Sequence, residues 1–484
     1  MFLDRIVAQT QLDLQQRKRE CPIEEMQRLA AQQPAPRDLL DAFKLRTKVQ
    51  LIAEVKRASP SKGLLAPHLD PVKLACLYEA HGAAAISVLT EPNFFLGAPE
   101  HLTAIKQAVK VPVLRKDFII DEYQVSEARA WGADAILLIC AILDDTQLRY
   151  LLHIAHEQRM RCLVEVHSRA EAQRAVNAGA VVIGVNSRDL VTFDMNPYLI
   201  RDIRQLIPPQ CVVVAESGIH TQADARRLAR YNVQAMLVGE SLVVSSDVPA
   251  QMHMLLAGAN ESTQVKICGL RTPEAVNAAV EAGADMLGLL FYEPSYRYIQ
   301  PQQVQPLLQA SERFSTTTTG QTTPDLVGVF VNKDADFINE VVQQAGLHFV
   351  QLHGTESPEL CQQICRPVVK ALHVRSEADL ALIKAYKQVT WRLLLDTPTP
   401  AWGGTGITHD WELARVAAQE APIFLSGGLT PDNVASAIQQ VHPWGVDVSS
   451  GVETNKQKDV VKIRAFVQHV RSALPKEAID ANHE

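Results

Sequence analysis

The sequence predicts an α/β protein built as two successive (β/α)8 TIM barrels, the first with extra N-terminal helices. Three observations predict it. Short, near-continuous apolar runs recur along the 484 residues, the habit of strands buried on both faces of a parallel sheet. Each run passes through a polar loop into a helical pattern, which is the rhythm of repeated βα units. The runs fall into two sets of eight, and one such barrel takes about 250 residues, so the chain has the length for two.

Residues 1–46 precede the first run and read as helices packed on one face of the first barrel. The first set is then "LIAEV" (51–55), "AAISVL" (84–89), "VPVLR" (111–115), "DAILLI" (134–139), "CLVEV" (162–166), "VVIGVN" (181–186), "VVVAES" (212–217) and "AMLVG" (235–239). Segments such as "DPVKLACLYEAHG" and "SRAEAQRAVNAG" supply the intervening helices. A seam is expected within 245–263, giving domains at 1–257 and 262–484. The second set is "VKICG" (265–269), "MLGLLF" (286–291), "LVGVFV" (326–331), "FVQLHG" (349–354), "VVKALHV" (368–374), "RLLLD" (392–396), "IFLSGG" (423–428) and "GVDVSSG" (445–451).

Helix ends repeat as well. Gly82, Gly132, Gly179 and Gly283 stand between a helical pattern and a strand, where a left-handed cap is expected. "RTPEAV" and "LTPDNV" each place Thr before Pro, an N-cap followed by the first helical position. The Thr-rich stretch 311–325 reads as a surface insertion, and the tail after about 472 as frayed. The rival architecture is a pair of open doubly wound sheets. It fits less well, since no G-x-G-x-x-G follows a first strand and eight units overfill that fold.

Composition narrows the class. With 47% hydrophobic and 21% charged residues the chain is globular, and a net charge of -7 with no long basic stretch argues against nucleic acid as a partner. The N-terminus lacks the apolar core of a signal peptide, and no run is long enough to span a membrane. The cysteines are scattered, without the paired knuckles of a zinc site, so a cytoplasmic protein with reduced thiols is expected.

In such barrels chemistry sits at the C-terminal ends of the strands. In the first barrel those ends carry Glu54, Lys56, Lys116, Glu165, Asn186, Arg188, Glu216 and Ser217. Two lysines and three carboxylates converging on one mouth are costly to bury without a purpose, the alternative being a structural ion-pair network. The loops "ESGI" (216–219) and "VGESL" (238–242), with Gly218 and Gly239, offer backbone N–H groups to a phosphate after strands seven and eight. Ser59 in "SPSKG" adds a hydroxyl. The second barrel has "LSGGLT" (425–430) and "DVSSGVE" (447–453) at the equivalent places, with Gly427, Gly428, Asp447, Ser449 and Ser450. Its other strand ends carry Cys268, His353 and Asp396, and "GGTG" after Asp396 contains Gly404. Arg297 is either a ligand for an anionic group or a surface arginine. His353 is either a site residue or a satisfied core histidine.

The motifs then show a resemblance. "IAEVKRASPSKG", "LRKDFIID", "LVEVHS", "GVNSRDL", "AESGI" and "VGESLV" resemble the indole-3-glycerol phosphate synthase family across 1–257. "VKICGL", "FVQLHG", "LLLDTP…GGTG", "LSGGLTPDNV" and "DVSSGVE" resemble the phosphoribosylanthranilate isomerase family from about 262 onward. Together they resemble the fused, bifunctional form found in tryptophan biosynthesis.

That resemblance implies roles. Asp396 would be general acid and Cys268 general base of an Amadori rearrangement, with a lowered thiol pKa. Gly404, Gly427, Gly428 and Ser450 would hold the phosphate, and Arg297 the anthranilate carboxylate. In the synthase Lys116 would be general acid and Glu165 base, with Lys56 near the substrate carboxylate. Glu54 and Glu216 would orient the lysines, and Asn186 would meet a hydroxyl. Small phosphorylated substrates, no cofactor, no metal and a monomeric chain are implied. Tyr296 stands where the isomerase family commonly has proline. Two other readings compete: one barrel as a catalytically dead phosphate-binding module, or two isomerases of unrelated pathways.

Overall fold

The computed structural model describes residues 2–43, 48–60, 62–190, 192–315, 323–374, 376–396 and 411–473. The chain separates into two compact units, Met1–Asn260 and Glu261–Glu484. In the first, eight parallel strands pair in chain order: β1 (Gln50–Val55), β2 (Ala83–Leu89), β3 (Val113–Lys116), β4 (Ala135–Ile139), β5 (Arg161–Val166), β6 (Val182–Asn186), β7 (Val212–Glu216) and β8 (Ala235–Val238). The ring closes where Gln50 of β1 stands opposite Ala235 of β8. The second unit repeats the plan with β9 (Gln264–Cys268), β10 (Met286–Leu290), β11 (Asp325–Phe330), β12 (Phe349–Leu352), β13 (Val368–His373), β14 (Arg392–Asp396), β15 (Ile423–Leu425) and β16 (Gly445–Val448). It closes with Gln264 opposite Gly445.

Every expected run is a strand, but β15 and β16 end three residues before the expected limits, because their glycine and serine residues turn into loops. Side chains alternate in and out of the ring with period two. Ile52, Leu114, Leu163, Val182, Val214 and Leu237 form a layer of the first barrel's core. Two residues further along each strand the same inward row reaches the C-terminal mouth, at Glu54, Lys116, Glu165, Gly184, Glu216 and Gly239. The sequence periodicity that builds the core therefore also lifts the charged residues to the rim.

The N-terminal segment differs from expectation. Helices α1 (Phe2–Glu20) and α2 (Ile23–Gln32) do not simply cover one face. Phe2 and Ile6 reach the cavity at the mouth, whereas the stretch after α2 crosses the opposite end. There the Arg37 backbone N–H donates to Asp134 at 2.7 Å, Asp38 pairs with Arg161 at 2.8 Å, and Phe43 is buried in the interior cluster. An open barrel bottom exposes apolar side chains, and Leu39 and Phe43 plug it.

The glycines expected as left-handed caps all have positive φ, from +83° at Gly283 to +94° at Gly132. Thr272 caps its helix through Ala275, with Pro273 first inside. Thr430 does not: that helix starts at Val434, and Asn433 accepts from the Thr430 N–H at 2.8 Å to close a turn before it. The expected seam is no linker, since Val248–Asn260 is a helix whose last residue bonds both backbone groups of Val49. The Thr-rich stretch is shorter than drawn. Glu312–Ser315 is helical and the buried Asp325 opens β11, while 316–322 and the tail from 474 lie outside the described residues. No described helix is long and apolar enough to cross a membrane.

Candidate active sites

The first barrel's mouth opens on a cavity of about 160 Å³. Its floor is charged. Lys116 Nζ lies 3.0 Å from Glu165 Oε2 and 3.7 Å from Glu216 Oε2, and Lys56 pairs with Glu54 at 2.7 Å. Its wall is apolar: Ile6, Phe95, Phe118, Leu190 and Phe193 line it, and Phe2 packs edge-on against Phe94 and Phe193, with ring centroids 5.5 Å apart in both cases. A planar aromatic ring suits such a wall, and a charged, oxygen-rich chain suits the floor.

Close packing fixes these groups. A Cβ on Gly184 would stand 2.0 Å from Glu216 Oε1, and one on Gly239 would stand 2.4 Å from Glu54 Oε1, so only glycine leaves both carboxylates their places. Burial weakens the Lys116 ammonium, but the charges of Glu165, Glu216 and Glu54 outweigh it and raise its pKa. Glu165 is lowered against its own burial by Lys116 and His167. Glu216 moves the other way, up to about 8, through burial and the Glu165 charge beside it. The two carboxyls are thus shifted in opposite directions.

The phosphate-type loops are left-handed after both seventh strands. Ser217 and Gly218 have φ of +65° and +71°, and Gly427 and Gly428 have +83° and +65°. Consecutive left-handed residues turn backbone N–H groups toward one concave side, an anion-binding shape. Each loop is tied to the one after the eighth strand. Ser241 Oγ donates to the Ile219 carbonyl at 2.8 Å, and a Cβ on Gly451 would stand 1.8 Å from the Leu429 carbonyl oxygen. Ser59 is buried with its Oγ lacking a partner among the described residues. Asn186 ends β6 and accepts the Arg188 N–H at 3.1 Å, while the Arg188 side chain stands off at the rim, 3.7 Å from Glu240.

In the second barrel Cys268 ends β9, and Gly288 on the next strand leaves the thiol its space, since a Cβ there would stand 2.7 Å from Sγ. The expectation of a lowered thiol pKa is corrected: burial pushes it up, and Lys266 only partly offsets this. Lys266 is fully buried two residues before Cys268 and pairs with Asp447 at 2.8 Å. Ser449 Oγ donates to the Cys268 carbonyl at 3.2 Å, and Ser450 opens a 3-10 turn. At the end of β12, His353 lies 3.1 Å from Asp396 Oδ2 and 2.7 Å from Gln351, so both ring nitrogens are occupied. Arg297 is buried, with Nε and Nη2 on Glu453 at 2.7 and 2.9 Å. Tyr296, at the unusual position, donates to the same carboxylate at 2.6 Å. Gly404 lies outside the described residues.

Sequence reasoning missed Lys266, His167, Glu453 and Lys458. The first two lie two residues from a chosen site residue, in the same inward row, so the strand period could have found them. Glu453 and Lys458 meet through the Glu453–Lys458 hairpin pairing, which no local pattern announces.

Residues 3–255 match the family described as indole-3-glycerol phosphate synthase, and residues 265–469 the family described as N-(5′-phosphoribosyl)anthranilate (PRA) isomerase. A multifunctional tryptophan biosynthesis protein of Phycomyces blakesleeanus is 36% identical over 532 residues, covering 97% of this chain and 69% of that one. The tryptophan biosynthesis protein TRP1 of Phytophthora nicotianae is 33% identical, over 84% of this chain and 88% of its own. An indole-3-glycerol phosphate synthase of Dehalococcoides mccartyi is 49% identical over 260 residues, 53% of this chain and all of its own. The chain belongs to the indole-3-glycerol phosphate synthase family through its first barrel and to the phosphoribosylanthranilate isomerase family through its second.

Proposed function

We propose that the second barrel opens and isomerises N-(5′-phosphoribosyl)anthranilate, and that the first closes the resulting carboxyphenylamino-deoxyribulose phosphate to indole-3-glycerol phosphate. Family membership of both barrels supports the pair of activities. The observation that carries the residue roles is Lys116 set between two buried carboxylates, 3.0 and 3.7 Å away, beneath an aromatic wall.

In the isomerase, Asp396 gives a proton to the ribose ring oxygen as the C1′–O bond breaks. Cys268 then takes the C2′ proton, and the electron pair moves toward nitrogen to give the enolamine, which tautomerises to the ketone. The buried thiol must first lose its own proton, and the Lys266 ammonium is the adjacent positive charge. Glu453 takes Nε and Nη2 of Arg297, so an incoming carboxylate would be met by Nη1. Gly427, Gly428 and Ser450 would supply the phosphate cradle.

In the synthase, Lys116 donates to the C2′ carbonyl oxygen as the anthranilate ring carbon attacks. Lys56 faces the carboxylate that leaves as CO₂. Lys116, recharged with a proton from solvent after ring closure, then protonates the departing hydroxyl, and Glu165 receives the C1′ proton released as the indole forms. Asn186 would hold a substrate hydroxyl, Glu54 and Glu216 would fix the two ammoniums, and Ser217, Gly218 and Gly239 would hold the phosphate. No step as written calls on a metal or organic cofactor. We further read the chain as a cytoplasmic monomer that takes no nucleic acid. The test is to supply phosphoribosylanthranilate to the purified chain and follow anthranilate fluorescence and indoleglycerol phosphate together. Loss of the first with no appearance of the second would leave the first barrel without its assigned reaction.

A further inference from the structure

Glu165 in β5 and Glu216 at the end of β7 flank β6, and Lys116 lies nearer the first, at 3.0 against 3.7 Å. A second difference lies behind Glu165. His167 Nε2 stands 3.1 Å from Glu165 Oε1, and Nδ1 stands 3.3 Å from Glu171 Oε2. Glu171 is itself fixed, because Ser168 caps its N–H at 3.2 Å and its Oε2 accepts the His167 backbone N–H at 2.8 Å. The imidazole is 9% exposed, so it meets an anion on each side and little water. Glu165 thus has Lys116 at one oxygen and the His167 ring at ion-pair distance from the other, although Nε2 is not aimed for a hydrogen bond. Glu216 Oε1 has no donor among the described residues.

We propose that His167, held as an imidazolium between Glu165 and Glu171, is a positioning residue of the synthase that fixes the negative charge on Glu165. This rests on the reading of Glu165 as the base. The surroundings support it. Burial weakens the imidazolium, but Glu165 and Glu171 outweigh it and push its pKa up to about 10. Of the other groups near the ring, Cys140 is kept a neutral thiol by burial, its pKa pushed up to about 12, and Arg174 is paired with Asp145 at 2.6 Å. Around the two carboxylates stand Lys116 and the Glu54–Lys56 pair, whose charges nearly balance. Lys116 already stands nearer Glu165 than Glu216, at 3.0 against 3.7 Å, and His167 adds on the Glu165 side a second partner that Glu216 lacks. Glu165 then enters the reaction already ionised, as a base must.

The test uses the full chain and the synthase substrate, comparing kcat and KM from pH 3 to 10 for the unchanged protein, H167Q and E171Q. The acid limb of kcat should rise by about one to two pH units in H167Q and by less in E171Q, with kcat recovering above the shifted limb and KM little changed. The ring itself is read by nitrogen NMR on the unchanged chain, with H167Q identifying the signal. It should stay protonated through pH 8. A ring that titrates near the ordinary histidine range, or an unmoved acid limb in H167Q, overturns the inference. E165Q separates the two ideas: an active E165Q sinks the base reading, whereas an inactive E165Q beside an unmoved H167Q limb sinks the role of His167 alone.

Discussion

Lys116 and Glu165 meet at the floor of the first barrel's cavity, Nζ to Oε2 at 3.0 Å, with Glu216 the next anion for one and His167 the next partner for the other. Glu165 is buried and Lys116 half-buried, so removing one leaves the other with a weaker set of partners. K116A should therefore abolish indoleglycerol phosphate formation and leave the isomerase reaction at its original rate. E165Q should lower synthase kcat by about 10²- to 10⁴-fold, the usual weight of one positioned acid or base. Steady-state assays of each half-reaction decide this.

The glycines beside the reacting groups offer a finer probe. G184A places a methyl against Glu216, and G288A places one against Cys268. Each overpacking change should cost about 1 to 3 kcal/mol of stability in its own barrel. Each should also depress only its own half-reaction. Paired activity and chemical-unfolding measurements would show whether the effects stay separate.

Lys266 and Asp447 form a fully buried pair beneath Cys268. K266M alone leaves an uncompensated carboxylate and should destabilise the second barrel by about 3 to 5 kcal/mol. The double variant K266M/D447L removes both charges and should regain much of that loss, yet remain slow in the isomerase reaction because the thiolate has lost its neighbouring cation. Urea unfolding gives the first quantity and the isomerase assay the second.

Glu453 links acid stability to the isomerase rim. Burial opposes its charge, but Arg297 and Lys458 more than compensate and hold the carboxyl down to about 2, from 4.5. The folded state is thus favoured by the ionised form above pH 4.5, and that advantage disappears as pH falls from 4.5 toward 2. The shift corresponds to about 3 kcal/mol at most. The second barrel's unfolding transition should weaken across this window, and E453Q should flatten the dependence.

The architecture was legible because a parallel barrel writes itself twice, once in apolar strand runs and once in glycine-ended helices. The site residues were legible because the same period-two row that buries Leu163 carries Glu165, and the row that buries Leu114 carries Lys116. What escaped has specific causes. Lys266 hides inside "QVKIC", where a charge in a buried run reads as an interruption until Asp447, far along the chain, supplies its partner. The thiol pKa depends on how much water β9 and β10 exclude, which composition does not state. Thr430 looked like a cap, but Asn433 competes for the turn and delays the helix. The N-terminal segment reaches opposite ends of its barrel because apolar residues as far apart as Phe2 and Phe43 serve different openings.

Two independent sites on one chain is the central claim, and complementation between variants tests it directly. C268A and K116A are each supplied with phosphoribosylanthranilate, alone and then mixed. Alone, C268A should leave the substrate unconverted and K116A should accumulate the ketone intermediate. Mixed, they should form indole-3-glycerol phosphate, with the intermediate passing through solution from one chain to the other. If either folded variant lacked both activities, or the mixture formed no product, the two barrels would not be the separate catalysts described.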